Sequence, residues 1–301
     1  MISFIIPSYN SANTIKRAID SILNQNTDLK YEIIVVDDGS TDNTEQVIKC
    51  YENDLRIKYY KKDNSGVADT RNSGVKMVTG EYIIFVDSDD YISENLLKDI
   101  ENHMLQGIEL IKWNVTFVDE NQKEVLKPES VELDVTSGEL GFNKLFGKDK
   151  LIDCLWNYAI KKELMIEFPS GTYHEDFATM PLIILNSKSF VSIDKREYYY
   201  VQSKNSIMRE RNKEKTRKKL QDKLIHFDNL IKEVNKMDLQ KITKENFDIY
   251  ATNSLLAVVK DLDGEDKTFY KKELKKRKVW RYIKIRNLKQ LIKKCIIAVI
   301  Y

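Results

Sequence analysis

Apolar positions in the first hundred residues come in short runs rich in β-branched side chains, separated by stretches where they recur every three or four residues. Ile2–Pro7, Glu32–Asp37, Ile57–Lys61 and Tyr82–Asp87 read as strands. Three of these are nearly continuous in apolar residues, as expected of strands covered on both faces. Between them, Ala12–Leu23 sets Ile15, Ala18, Ile19, Ile22 and Leu23 on one helical face, and Asp42–Glu52 and Val67–Val78 follow the same period. Ser11 and Thr41 stand where helix N-caps are expected. This alternation predicts βαβ units and an α/β, Rossmann-like, mostly parallel mixed sheet flanked by helices. Farther on, Ile108–Val118 and Lys123–Leu126 predict a strand pair across the turn Asp119–Gln122. His174–Leu185 predicts a short helix, and Phe190–Ile193 and Tyr198–Val201 predict two more strands. Past about residue 208 the pattern is wholly helical, so a first domain over 1–208 and a helical region over 209–301 are expected.

Composition supports a folded chain and restricts its chemistry. In 301 residues, 42% are hydrophobic and only 10 are Gly and 4 Pro, which suits a substantial core and excludes collagen-like or disordered classes. Cys50, Cys154 and Cys295 are far apart and lack metal-ligand or CxxC spacing, so neither a disulfide framework nor a zinc site is encoded and a cytoplasmic setting is expected. No apolar run reaches the roughly 18 residues of a membrane span, and the opening MISFIIPSYN lacks the features of a signal peptide.

Charge changes the picture of the second region. The net charge of +2 conceals 27 basic against 13 acidic residues in 201–301, and 22 against 34 in 1–200. Lys267–Lys294 alone holds 13 basic residues and one acid, Glu273, interleaved with apolar side chains such as Trp280, Ile283 and Leu291. That is a basic amphipathic stretch. It reads either as the solvated face of a helical subdomain or as a peripheral contact with anionic lipid at the inner face of a cell membrane, with the apolar Ile296–Tyr301 dipping into the interface. Its apolar stripe would also suit pairing into a homo-oligomer. Nucleic acid is not an expected partner.

Candidate chemistry gathers at two strand ends. Asp37-Asp38-Gly39-Ser40 and Asp87-Ser88-Asp89-Asp90 both follow predicted strands, where an open α/β sheet offers its ligand crevice. Neither GxGxxG nor GxxxxGK[ST] occurs, so the usual glycine-rich phosphate cradles are missing. Clustered carboxylate oxygens instead suit Mn²⁺ or Mg²⁺ bridging a diphosphate. Acidic turn residues after a strand are also common for local reasons alone.

The order of motifs narrows this. Ile5-Ile6-Pro7-Ser8-Tyr9-Asn10, Val35-Val36-Asp37-Asp38-Gly39-Ser40-Thr41-Asp42, Asn64-Ser65-Gly66 with Thr70-Arg71-Asn72-Ser73-Gly74, and Gly80-Glu81-Tyr82 through Asp87-Ser88-Asp89-Asp90 together resemble glycosyltransferase family 2. The resemblance is dense over residues 2–92 and looser through Trp156-Asn157, His174-Glu175-Asp176 and Tyr198–Arg209. It implies a GT-A fold, a UDP-sugar donor, a divalent cation and inverting transfer to a glycan acceptor. By the same resemblance, the nucleotide site lies mainly within 1–100 and the acceptor side within 101–208.

Residue by residue, the resemblance implies that Pro7 and Tyr9 wall the nucleobase pocket and that Asp38 reads uracil. Asn64 and Arg71 fall beside the nucleotide and its diphosphate, and a guanidinium suits phosphate charge. Asp89 is the expected metal ligand, Asp87 a ribose or metal contact, and Ser88 lies on the nucleotide side. Trp156, Asn157 and His174 are implied near sugar or acceptor, and Ser206 and Arg209 in a loop over the diphosphate. Asp176 is the expected general base, with Glu175 the alternative. Without the resemblance, Trp156 between Leu155 and Tyr158 reads equally as core, and Glu175-Asp176 as a favourable acidic first turn.

Inversion requires no covalent nucleophile, consistent with the lack of a recognisable Ser/His or Cys/His constellation. Cleavage of the anomeric C–O bond needs the leaving diphosphate stabilised and the acceptor hydroxyl deprotonated. Two other readings remain at this level: a metal-dependent nucleotidyltransferase and a non-catalytic sugar-nucleotide-binding module.

Overall fold

The computed structural model describes residues 1–148, 152–202 and 213–282. The chain divides into two compact units, Met1–Glu210 and Arg211–Tyr301.

The first unit is built on a ten-stranded sheet. Strands β1 (Ile2–Ser8), β2 (Tyr31–Asp37), β3 (Ile57–Lys61) and β4 (Tyr82–Phe85) run parallel in the order β3-β2-β1-β4. Helices α1 (Ile15–Leu23), α2 (Thr44–Lys49) and α3 (Val67–Met77) make the crossovers. Phe4, Ile6, Ile33 and Val35 pack with Ile15, Ala18, Ile19 and Ile22 of α1 in one apolar layer. Ile5 points to the other face, where α3 approaches so closely that a Cβ on Gly74 would lie 2.6 Å from Ile5 Cγ2. Both faces are therefore covered, which is why these strands read as unbroken apolar runs.

The sheet then changes character. Short β5 (Tyr91–Ile92) and α4 (Leu96–Leu105) precede β6 (Leu110–Val118), which forms an antiparallel hairpin with β7 (Glu124–Leu126). After β8 (Leu133–Thr136) and α5 (Gly138–Leu145), β9 (Tyr158–Lys161) inserts antiparallel between β4 and β6. Helix α6 (Glu175–Asn186) leads into β10 (Phe190–Val201), parallel to β6 and antiparallel to β5. The two strands expected near 190 and 198 are thus one twelve-residue strand with register shifts between Ser192 and Tyr198.

Helix starts differ from expectation in detail. Helix α1 begins after Thr14 and α2 after Asn43, with no side-chain cap from Ser11 or Thr41. The Ser11 carbonyl instead accepts the Thr14 and Ile15 N–H groups, and Asp42 accepts the Thr44 N–H at 3.0 Å. A turn precedes each helix and supplies the partners that a capping hydroxyl would have supplied.

The second unit contains α7 (Lys213–Lys236), α8 (Lys241–Val258) and α9 (Gly264–Lys276). Leu220, Leu224, Phe227, Leu230 and Val234 form the buried stripe of α7, while Phe247, Ala251, Leu255, Tyr270 and Leu274 are buried from the other two helices. Arg277 pairs with both Asp228 and Glu273 at 2.8 Å. Among the described residues no helix is long and apolar enough to cross a membrane. The part of Lys267–Lys294 beyond Tyr282 lies outside the described residues.

Candidate active site

The carboxyl ends of β1, β2 and β4 lie side by side because the Ile5 carbonyl accepts the Val86 N–H at 3.0 Å and the Ser8 carbonyl accepts the Asp38 N–H at 2.8 Å. Asp37 is buried and structural, accepting from Ser40 N at 2.8 Å and Tyr59 Oη at 2.7 Å. Asp38, next to it, is buried against the loop that follows β3. Its Oδ1 accepts from Ser65 N at 2.9 Å and from the Lys62 ammonium, and its Oδ2 accepts from Gly66 N at 2.9 Å. The Asn64 amide donates to the Asp38 carbonyl at 2.9 Å. Gly39 makes this folding possible: its φ is +76°, and a Cβ there would press on Asn64 N at 3.0 Å. Pro7 is buried at the end of β1, whereas Tyr9 is 47% exposed in the turn beyond it. Asn10 steadies that turn by accepting the Thr41 N–H at 2.8 Å.

The second acidic strand end is more open. Asp87 and Ser88 are partly buried and Asp89 is exposed. Ser88 Oγ lies 2.7 Å from Ser11 Oγ, tying this loop to the one after β1. Arg17 of α1 donates to the Asp89 carbonyl and sits over the Tyr91 ring, 5.5 Å from its centroid. The protein around Asp89 and the negative charge of Asp87 push its carboxyl up to about 6. Asp90 turns inward to 1% exposure and accepts from Tyr198 Oη at 2.8 Å and Val201 N at 2.7 Å. Burial raises its carboxyl well above the ordinary range, and the negative charges of Asp89 and Asp87 add to this.

Arg71 joins this strand end to α6. From the buried face of α3 it pairs with Asp87 at 2.9 Å and with Glu175, a residue 104 positions away. Glu175 is 5% exposed. Burial pushes its carboxyl up to about 7, with Arg71 opposing and the negative charges of Asp176 and Asp87 adding to the rise. Burial disfavours the Arg71 cation, but Glu175, Asp87 and Asp176 together raise its pKa above the ordinary value. Asp176 therefore belongs to the same electrostatic cluster. It is only partly buried and accepts the Phe177 N–H at 2.7 Å. His174, at the α6 N-terminus, holds a left-handed backbone with φ +62° and is partly buried. The segment leading to α6 is pinned by the Asn72 amide, which donates to the Phe168 carbonyl at 2.8 Å and accepts the Phe168 N–H at 2.9 Å. Asp69 adds a 3.0 Å contact to Gly171 N.

Trp156 and Asn157 lie in a buried 3-10 turn. Trp156 is 7% exposed and stacks on Tyr198 with centroids 4.5 Å apart and planes 16° from parallel. The ring thus backs the acidic loop through Tyr198 and is largely enclosed by protein. Ser206 and Arg209 fall outside the described residues. Sequence patterns did not single out Lys62 or Arg17 as parts of this region, and Tyr198 enters there only as the first residue of the looser resemblance over Tyr198–Arg209. Lys62 and Arg17 look like ordinary surface charges, and Tyr198 is one of three consecutive tyrosines.

Among the described residues no three His, Cys, Asp or Glu side chains cluster as a ready-made ion cage. Asp87 and Asp89 nevertheless offer hard oxygen donors, and desolvation together with the charge of Asp87 raises the carboxyl of Asp89. That donor set fits Mg²⁺ or Mn²⁺ taken up together with a diphosphate, which supplies the remaining oxygens. The second unit has a cavity of about 1090 Å³, lined by residues that include Arg217, Asp222, Asp266, Phe269 and Arg277, and among the described residues none of those expected at the active site contributes to it.

A model of the Glycosyl transferase family 2 matches residues 3–159. The poly(ribitol-phosphate) β-N-acetylglucosaminyltransferase TarP of Staphylococcus aureus is 31% identical over 66% of this chain and 62% of its own. The glycosyltransferase GlyG of Streptococcus pneumoniae is 30% identical over 69% of this chain and 73% of its own. The crystal structure of S. aureus TarS 1-349 in complex with UDP-GlcNAc superposes with a TM-score of 0.72, covering 94% of this chain and 80% of that one at 23% identity, a likeness of fold. The chain spans less than two thirds of the length of several curated relatives, down to 10% of a Pasteurella multocida chondroitin synthase.

Proposed function

The chain belongs to glycosyltransferase family 2, and from that premise we propose that it moves a hexose or N-acetylhexosamine from a UDP-sugar to a glycan hydroxyl with inversion at the anomeric carbon. The observation that carries this reading is the Asp87–Arg71–Glu175 bridge, which brings the acidic strand end and the first turn of α6 into one charged cluster. UDP-N-acetylglucosamine is the first donor to test, because TarP is a β-N-acetylglucosaminyltransferase by name and TarS was crystallised with that nucleotide sugar.

In this reading Pro7 and Tyr9 flank the base, and Asp38 turns its remaining acceptor capacity to the uracil N–H while Asn64 holds the loop beside it. Asp87, Ser88 and Asp89 face the ribose and diphosphate. Asp87 and Asp89 would hold the divalent ion, which when bound offsets the charge of the leaving diphosphate. Arg71 shifts part of its hydrogen bonding from its two acids to phosphate as donor enters. Asp176 takes the acceptor proton: it is the more exposed of the two acids, whereas Glu175 is committed to orienting Arg71. Although Glu175 is pushed up to about 7, a base must first reach the hydroxyl, and geometry precedes pKa. His174 and Asn157 lie on the acceptor side of this arrangement, and Ser206 and Arg209 are assigned to closing over the diphosphate. For the basic stretch Lys267–Lys294 the proposed role is peripheral contact with anionic lipid at the cytoplasmic face of the membrane, with a solvated face of the helical region and self-pairing as the competing roles. Sedimentation with anionic vesicles at low and high salt tests this: equal recovery in the supernatant at both would remove the lipid role.

The decisive test of function is a panel of UDP-sugars with Mn²⁺, Mg²⁺ or chelator, read by mass spectrometry. Metal-dependent release of UDP from one donor is the expected result, with Asp89→Ala inactive. Pyrophosphate as the product would instead identify a nucleotidyltransferase, and silence on every donor would leave a binding module.

A further inference from the structure

We propose that Asp90 and Tyr198 are positioning residues: the Tyr198 hydroxyl, oriented by the Asp90 carboxyl group, anchors the backbone of Asp87 and so sets where Asp87 and Asp89 point. The inference rests on the reading of those two acids as the pair that faces metal and diphosphate.

Strand β4 ends at Phe85, and the last backbone bond to the neighbouring strand is Val86 N–H to the Ile5 carbonyl at 3.0 Å. The next donor, Asp87 N–H, goes to Tyr198 Oη at 3.1 Å. A phenol has a single hydrogen and a rotatable O–H, so by itself it does not fix which side of the oxygen accepts. Here the hydrogen is claimed by Asp90 Oδ2 at 2.8 Å, which leaves a lone pair turned to Asp87. The carboxyl group is in turn held through Oδ1 by Val201 N–H at 2.7 Å. Stacking on Trp156 holds the Tyr198 ring, which is 0% exposed. Finally, the Asp87 carbonyl accepts the Asp90 N–H at 3.1 Å, so Asp87–Asp90 is a closed turn with both ends resting on one hydroxyl.

Asp89 is in the middle of that turn, and its carboxylate and that of Asp87 repel one another. An unanchored loop relieves such repulsion by splaying. Packing alone does not call for this oxygen, because Phe at position 198 would preserve the volume and the stack on Trp156. Asp90, at 1% exposure, spends its carboxyl oxygens on Tyr198 and Val201. Burying a carboxyl group and a phenol here costs free energy unless their polar atoms are paired, and the pairing found is the one that fixes the acidic loop.

The test uses the full chain as wild type, Tyr198→Phe and Asp90→Asn, with amide hydrogen exchange and UDP titrations with and without Mn²⁺. For Tyr198→Phe, exchange in Asp87–Tyr91 should quicken by about tenfold while Tyr82–Phe85 stays within about twofold, the scale of one lost buried hydrogen bond. Mn²⁺-dependent UDP affinity should fall by about tenfold with the Mn²⁺-free affinity unchanged. Asp90→Asn keeps an acceptor for Val201 but offers Tyr198 a donor, so it should shift both readouts in the same direction. Unchanged loop exchange, equal quickening in the loop and in β4, or full Mn²⁺-dependent affinity in folded Tyr198→Phe would overturn the proposal. Wild type failing to bind UDP would count against the functional reading, and the exchange measurement would then decide the anchoring. If Asp90→Asn does not fold, Tyr198→Phe carries the test.

Discussion

Two buried carboxylates, Asp38 just after β2 and Glu175 in the first turn of α6, are stabilised in opposite ways. Asp38 is satisfied from nearby: Lys62, Ser65 N–H and Gly66 N–H all come from the loop after β3. Glu175 depends on one distant guanidinium, which it shares with Asp87. Among the described residues, Glu175, Asp87 and Asp176 all act on Arg71, Asp89 and Asp90 lie on the same acidic strand end, and three of these five acids, Asp89, Asp90 and Glu175, are pushed upward. The first arrangement is a finished pocket wall. The second, among the described residues, holds more acids than bases, an arrangement suited to exchanging partners with a ligand that brings positive charge.

Arg71→Ala should break that contrast most sharply. Removing one partner of a buried pair costs about 3–5 kcal/mol, and chemical denaturation should show a larger loss at pH 8 than at pH 5, where Glu175 can carry its own proton. Adding Glu175→Gln should recover part of the loss. Equal losses at both pH values would mean that Glu175 does not depend on Arg71.

Asp176→Asn comes next. If Asp176 is the base, kcat should fall by roughly 10²-fold or more while UDP binding is retained. An unchanged turnover number would pass the role to Glu175.

Lys62→Met should cost less than about 1 kcal/mol, as for a partly exposed pair, since Asp38 keeps two backbone donors. A loss as large as that of Arg71→Ala would erase the distinction between the two sites.

A further effect is in the pH profile. Glu175 and Glu197, both pushed up to about 7 chiefly by burial, hold protons more tightly in the folded than in the unfolded chain. Their contribution is complete below about pH 4.5, the ordinary carboxyl range, and is lost as pH rises through about 7. Thermal midpoints should therefore fall between pH 5 and 7.5 more steeply in wild type than in Glu175→Gln. Parallel profiles would remove Glu175 from this account.

Much of the first half was legible because its information is local. The apolar runs of β1, β2 and β4 and the helical period of α1 and α3 each arise from a dozen residues or fewer, and Asp38 and Asp87–Asp90 follow directly from where those strands stop. The hairpin of β6 and β7 was readable for the same reason. The caps were not, because Ser11 and Thr41 compete with turn hydrogen bonds that composition does not reveal. Phe190–Val201 looked like two strands because its polar middle, Asp194-Lys195-Arg196-Glu197, interrupts the apolar pattern while its register against β6 shifts.

The sequence by itself determined the βαβ alternation, the acidic strand ends and the basic helical carboxyl-terminal region, since each depends on side-chain period or composition over short spans. Only the tertiary structure decided that Arg71 would be shared by Asp87 and Glu175, that Trp156 would back Tyr198, and that Asp90 would turn inward while Asp89 turned out. Those outcomes depend on which groups meet across about a hundred residues of chain, and a carboxylate's partner, unlike its position along the sequence, is fixed by desolvation and by whatever donor the folded sheet brings within about 3 Å.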